Sequence, residues 1–419
     1  MSRPVALVHV GLMKTGTTYL QQLAIANREV LADQGVHFAG ATWSRQVRAA
    51  QDLLDLDQHD PQVQALSAGA WDELVAEIRG RREGATLVSM EFLSFARRRA
   101  LARVARDLHD VEVHVIVTVR DMTATIPAQW QTSVTSRRTH TWSEFQRGVQ
   151  HSDGPLWAAR ALLGDTGVRE FRRTQDVGRV LRVWGRLAPP ERLTVVTVPL
   201  RRTEPDLLWR RFAEALGVDP AVPVEAPDET NPSLGFASAE LVRRLNVALE
   251  GVLPWDYNRT VKAPLASRML SARRGEERRP RLDGATAAFA RDWNRRSRAA
   301  VAASGARVVG TLADLPVDPP APDAAEPGEL APAELLAAAR DAWRGLNNLV
   351  ERRRRRVSKL LGAERPTPLG TEEPGWFDGD SAGDVDRAVT DLAGLTRTAI
   401  QLRRDVQELS ESRDEAARR

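Results

Sequence analysis

Residues 5–10 read VALVHV, an apolar run rich in β-branched side chains that stops at Gly11. Such a run is too short for a buried helix and predicts a strand covered on both faces. Four further runs carry the same signal: Thr86–Met90 (TLVSM), Val111–Val119 (VEVHVIVTV), Leu193–Val198 (LTVVTV) and a short one at Arg307–Val309. Between them the apolar positions recur at helical spacing, which predicts helices from about Thr17 through Leu31 and over Trp71–Arg82, Arg97–His109 and Asp206–Leu216. Short apolar strands alternating with helices predict an α/β fold, a parallel sheet with helices on both faces.

The pattern changes after residue 315. Residues 316–332 (PVDPPAPDAAEPGELAP) are dense in proline, alanine and acid and predict a linker. Residues 333–362 return to helical spacing and carry the run Arg352–Arg356, and a second proline- and glycine-rich break covers about 363–382. The segment 383–419 repeats by sevens, with Val385, Leu392, Ala399 and Val406 in one seam and Ala388, Leu395, Leu402 and Leu409 three residues after each. Four apolar heptads fit a coiled coil, a helical hairpin or an amphipathic helix folded back on the chain. The expected division is therefore 1–315 as one α/β domain with a helical C-terminal extension, which offers a route to self-association.

Charge narrows the function only a little. The 60 basic and 56 acidic residues leave +4, too even a balance for a specific nucleic-acid binder, and the five-arginine run reads first as a solvated helix face. Lysine occurs three times, at 14, 262 and 359, so an ammonium inside an early glycine loop stands out. The chain has no cysteine, and its seven histidines show no metal-binding spacing, so no metal site is expected. No apolar run approaches the roughly 20 residues of a membrane span, and the N-terminus enters a strand at once, so a cytoplasmic location is expected.

The sharpest signal is Val8-His9-Val10-Gly11-Leu12-Met13-Lys14-Thr15-Gly16-Thr17-Thr18. A strand, a glycine-bounded loop and a helix start are the parts that cradle phosphate, with backbone N–H groups facing the anion and the hydroxyls of Thr15, Thr17 and Thr18 as added donors. Gly11, Gly16 and Thr18 keep the spacing of a nucleotidase P-loop, but Thr17 stands where its lysine belongs and Lys14 sits inside the loop.

His9-x-Gly11-x-x-Lys14-Thr15-Gly16-Thr17-Thr18-x-Leu20-Gln21 resembles the 5′-phosphosulfate loop of the sulfotransferases that use 3′-phosphoadenosine-5′-phosphosulfate (PAPS). The resemblance spans about residues 4–315, with sharp motifs near 9–21, 87–93 and 118–131. It implies a P-loop-type fold, PAPS as co-substrate without a metal, and transfer of the sulfuryl group to a hydroxyl or amine of a sugar, lipid or small-molecule acceptor. It further implies that Lys14 stabilises the bridging oxygen while Thr17 and Thr18 hold the 5′-phosphate.

Arg120 closes the strand Val117-Thr118-Val119 at the edge where ligands of open α/β sheets bind, and the resemblance makes it the 3′-phosphate ligand. The family places a serine eight residues later; here Ala128 stands instead, leaving Thr125, Gln131 or Thr132 as substitutes and Arg273-Arg274-Gly275 as a further contact. Trp130 and Gln131 are candidates for lining the cleft. Glu91, delivered by the strand 86–90, is the expected base for the acceptor's proton, with His9 as its competitor in that role or as a support of the loop. The alternatives are an ATP-dependent phosphotransferase and a nucleotide-binding scaffold that has lost turnover.

Overall fold

The computed structural model describes residues 3–152, 166–200, 204, 206–221, 234–318, 329–364 and 373–418. Most of the 316–332 linker, and residues 365–372 of the 363–382 break, lie outside the described residues.

The fold is α/β, with six parallel strands in one sheet: β1 Val5–His9, β2 Val36–Phe38, β3 Ala85–Ser89, β4 Glu112–Val119, β5 Leu193–Thr197 and β6 Arg307–Val309. Their order is β2-β3-β1-β4-β5-β6. β1 lies centrally, so the chain passes to one side of it for β2 and β3 and then to the other for β4. That reversal falls at the carboxyl end of β1, the place where open α/β sheets bind ligands.

Alternate residues of β1, β3, β4 and β5 feed two separate cores. Ala6, Val8, Val88, Val115, Val117 and Val195 pack on one face with Ile78, Leu101, Val104, Leu181 and Trp184. Leu7, Leu87, Ile116 and Val196 pack on the other with Leu20, Leu23, Phe212 and Leu216. Each buried valine, leucine, isoleucine or phenylalanine among them contributes about 1.5–3 kcal/mol, so strand register is firmly set by both layers.

The five predicted strands are present, and the structure adds β2 at the sheet edge. The helix expected over 17–31 is broken: Thr17–Ala26 stops at Asn27, and Arg28–Asp33 starts afresh. At the break Asn27 leaves the helical region (φ −109°, ψ 28°), and its side-chain amide donates to the Leu23 carbonyl (2.9 Å) as a cap on the first helix.

Packing divides the described chain into two units: 1–129, 146–231 and 282–326 with the sheet, and 130–145, 232–281 and 327–419. This division cuts across the linear one expected from composition, because 130–145 and 232–281 join the C-terminal helices. In the second unit, Pro332–Leu361 and Ala382–Arg418 form an intramolecular hairpin. Val385, Ala388, Leu392 and Ala399 of the heptad seam are buried there, with Leu335, Ala339, Leu346 and Leu349 among the buried residues of the facing helix. Arg353, from the five-arginine run, donates to the Ala399 carbonyl (2.6 Å) and the Arg259 carbonyl (2.9 Å); burial and then its arginine neighbours lower its pKa to about 10. Trp130 is fully buried against Trp142 and Phe236, with its indole N–H on the His140 carbonyl (3.1 Å). It is a core residue of this unit and not a lining of the cleft. No described helix is long and apolar enough to cross a membrane.

Candidate functional site

Three adjacent strands deliver the crevice at their carboxyl ends: β1 leads into the 11–16 loop, β3 into Glu91 and β4 into Arg120. The β1–β4 ladder continues past β1, through Val10 N–H to Ile116 O (3.0 Å), Leu12 N–H to Thr118 O (2.9 Å) and Thr118 N–H to Gly11 O (2.7 Å). The loop is thereby pinned at its root. Three of its residues are left-handed: Gly11 (φ 88°), Lys14 (φ 63°) and Gly16 (φ 85°). For lysine this conformation costs about 1–2 kcal/mol, a strain that persists only where the surroundings impose it. A Cβ on Gly11 would stand 2.9 Å from Glu91 Cβ and 3.1 Å from Glu91 Cα, so the missing side chain is what lets Glu91 lie against the loop.

Gly16 is the N-cap of the helix Thr17–Ala26, which has no side-chain cap and no acid in its first turn. Its leading N–H groups have no acceptor within the helix, and its dipole favours an anion there. Thr18 is exposed beside them, and Thr17 is buried.

Beneath the loop runs a buried polar chain. Thr15 donates to the Leu12 carbonyl (2.6 Å) and lies 2.5 Å from the Thr118 hydroxyl, His9 Nε2 is 3.1 Å from that hydroxyl, and His9 Nδ1 is 2.8 Å from Ser89 Oγ. One proton per hydroxyl fixes two directions, Thr118 donating to Thr15 and His9 Nε2–H to Thr118; with the ring neutral, Ser89 donates to His9 Nδ1. His9 is fully enclosed, edge-on to Phe212, and burial lowers its pKa to about 3, which keeps the ring neutral near pH ~7. Of the two roles open to His9, this geometry serves support of the loop. Thr15 is also turned inward, so its hydroxyl is spent on Leu12 and only its backbone N–H is left for an anion.

Glu91 opens the 3₁₀ turn Glu91–Phe95 and is half-buried. Its Oε2 accepts from Gln21 Nε2 (2.8 Å), and the same amide donates to the Ser89 carbonyl (2.9 Å). Gln21, on the first helix, therefore aims the Glu91 carboxylate. A second buried amide, Gln175, closes the loop from the opposite side by donating to the Met13 carbonyl (3.1 Å) and to Gln129 Oε1 (3.3 Å).

Arg120 Nη1 donates to the Lys14 carbonyl at 3.2 Å, which holds the guanidinium on the rim of the loop. The adjoining Asp121 is occupied by Thr123 N–H (3.0 Å) and Asn294 Nδ2 (2.8 Å). Two expected stand-ins for the serine at Ala128 are committed elsewhere: Thr125 donates to the Asp121 carbonyl (2.8 Å) and Gln131 to the Leu234 carbonyl (2.7 Å). Arg273 is taken up within the second unit by Glu277 (2.9 Å) and Asp341.

The sheet thus gathers Gly11, Lys14, Gly16, Glu91 and Arg120 at one edge. The roles of Gln21, Gln175, Thr118 and Ser89 carry no signal in the sequence, since each depends on which strands become neighbours. No family model matches the chain, and neither does any curated protein or solved structure.

Proposed function

We propose that this crevice takes PAPS and that the chain transfers its sulfuryl group to a hydroxyl. The observation that carries the reading is the left-handed Gly11-x-x-Lys14-x-Gly16 turn at the carboxyl end of the central strand, flanked by Glu91 and Arg120. An uncapped helix start, reached through a left-handed loop, fits a terminal phosphosulfate. Arg120 fits a second phosphate, while Ala128 leaves that site one donor short. Bound PAPS supplies an activated sulfur–oxygen bond.

The chain's own residues perform the rest. Glu91, aimed by Gln21, takes the proton of the acceptor hydroxyl as its oxygen bonds to sulfur. The electron pair of the broken sulfur–oxygen bond goes to the 5′-phosphate oxygen, where the Lys14 ammonium and the first-turn N–H groups stabilise charge that grows only in the transition state. The neutral His9 chain keeps the loop in shape, so the donors are fixed before reaction begins.

The test is turnover of sulfur-labelled PAPS over a panel of hydroxyl acceptors. Wild type is expected to release 3′,5′-ADP with label on an acceptor, and Lys14→Ala to lose at least 100-fold in kcat, the scale of an electrostatic donor of about 3 kcal/mol. Magnesium-dependent consumption of ATP instead of PAPS would replace this reading with phosphoryl transfer. Tight 3′,5′-ADP binding without turnover on any acceptor would replace it with a nucleotide-binding scaffold.

A further inference from the structure

The chain that follows Glu91 carries more guanidinium than transfer itself employs. The 3₁₀ turn that Glu91 opens runs into Arg97, Arg98 and Arg99, all exposed and in no ion pair among the described residues. They sit at the start of the helix Arg98–Asp107, which has no acid in its first turn, where the dipole disfavours positive charge.

A second group comes from the helices Thr166–Gln175 and Val177–Trp184. The Arg173 guanidinium lies 4.5 Å over the Phe95 ring, and Phe95 stacks on Phe92 at 5.7 Å. Arg179 donates to the carbonyls of Ser94 (2.5 Å), Ala96 (3.3 Å) and Arg173 (2.9 Å). Burial first, and then the charges of Arg97, Arg173 and Arg182, lower the Arg179 pKa against the opposing pull of Asp176. These arginines therefore act on one another electrostatically. Asp176 is already spent on Arg172 (3.3 Å) and on capping the second helix through Arg179 N–H (2.8 Å). The same two helices line a recess of about 340 Å³ with Arg172, Asp176 and Arg182, where Arg172 and Arg296 lie over the Trp293 indole.

Gathering like charges lowers the stability of a fold, and a bound anion offsets that cost. Resting on the sulfotransferase reading, we infer that the acceptor is acidic: a hydroxyl-bearing chain or ring system with carboxylate, sulfate or phosphate groups that Arg97, Arg98, Arg99, Arg173 and Arg182 hold beside Glu91. The spread of the charges over two helix pairs and a recess suits an extended molecule better than a lone anion. The Phe92–Phe95 pair offers it an apolar face.

The test is titration of fluorescently labelled dextran, carboxymethyl dextran and dextran sulfate, with 3′,5′-ADP measured in parallel. Wild type should bind dextran sulfate at least tenfold more tightly than dextran, and the gap should shrink with salt. The triple variant Arg97→Gln/Arg98→Gln/Arg99→Gln should lose about tenfold toward dextran sulfate and keep its 3′,5′-ADP affinity. Arg352→Gln/Arg356→Gln, which removes exposed arginines from the helix Pro332–Leu361, should change dextran sulfate binding less than about twofold. Equal losses in the two variants, or none in the triple, would overturn the inference. A protein that holds dextran sulfate through Arg97–Arg99 but binds no 3′,5′-ADP would overturn the acceptor assignment through its premise, the nucleotide reading, and leave the basic face intact.

Discussion

Replacing His9 with glutamine should flatten the acid side of the stability profile. The imidazole is fully enclosed, and burial lowers its pKa from 6.5 to about 3. In the unfolded chain the ring returns to about 6.5. Between those two values the unfolded state binds a proton that the folded state refuses. The stability that the neutral ring confers is therefore complete above pH ~6.5 and drains away as pH falls toward ~3. At 1.36 kcal/mol per pKa unit, the fall from pH 7 to pH 5 removes about 2 kcal/mol through this one residue. Glutamine keeps a donor and an acceptor for Thr118 and Ser89 without titrating. Guanidinium unfolding of both proteins at pH 7 and pH 5 reads the difference, with the buried Trp184 reporting on the sheet. Wild type should lose about 2 kcal/mol more than the variant over that interval. Parallel losses would refute the reasoning and restore His9 as a candidate proton acceptor.

Gly11→Ala should lower stability by about 2–4 kcal/mol, from the left-handed backbone penalty together with overlap at Glu91. An unchanged denaturation midpoint would mean that Glu91 can withdraw from the loop. Thr15→Val, close in shape, should cost about 1–3 kcal/mol by leaving the Leu12 carbonyl and the Thr118 hydroxyl without their partner; a neutral effect in the same unfolding assay would dissolve the polar chain. Ala128→Ser should tighten 3′,5′-ADP by about tenfold, the worth of one charge-assisted hydrogen bond, and calorimetry showing no gain would mean another group already fills that place.

The strands were legible because a buried parallel strand writes itself as an unbroken apolar run, as in 5–10 and 111–119. β2 escaped because three residues around His37 make no run, and it exists only by pairing with β3. Helical spacing carried the first helix past Asn27, since periodicity is blind to a side chain that returns to the Leu23 carbonyl. Gly11, Lys14, Gly16, Glu91 and Arg120 could be read from the chain because each ends a strand or sits in the loop after one. The supports could not. Gln21 finds Glu91 across 70 residues, Gln175 finds Met13 across 162, and His9 finds Thr118 across 109, pairings that only the sheet order creates. The same topology turned the Thr15 hydroxyl inward, against its reading as a phosphate ligand. Trp130 looks alike in sequence whether it lines a cleft or fills a core, and its neighbours Trp142 and Phe236 decide it.

Whether the crevice distinguishes a 3′-phosphate is best measured by calorimetry of 3′,5′-ADP and ADP on wild type and Arg120→Ala. Wild type should favour 3′,5′-ADP by at least tenfold. Arg120→Ala should weaken that nucleotide by about 10- to 100-fold, the loss of a charged hydrogen bond, while ADP changes by less than about twofold. No preference in wild type, or equal losses for both nucleotides in the variant, would contradict a 3′-phosphate site at Arg120 and with it the assignment of PAPS.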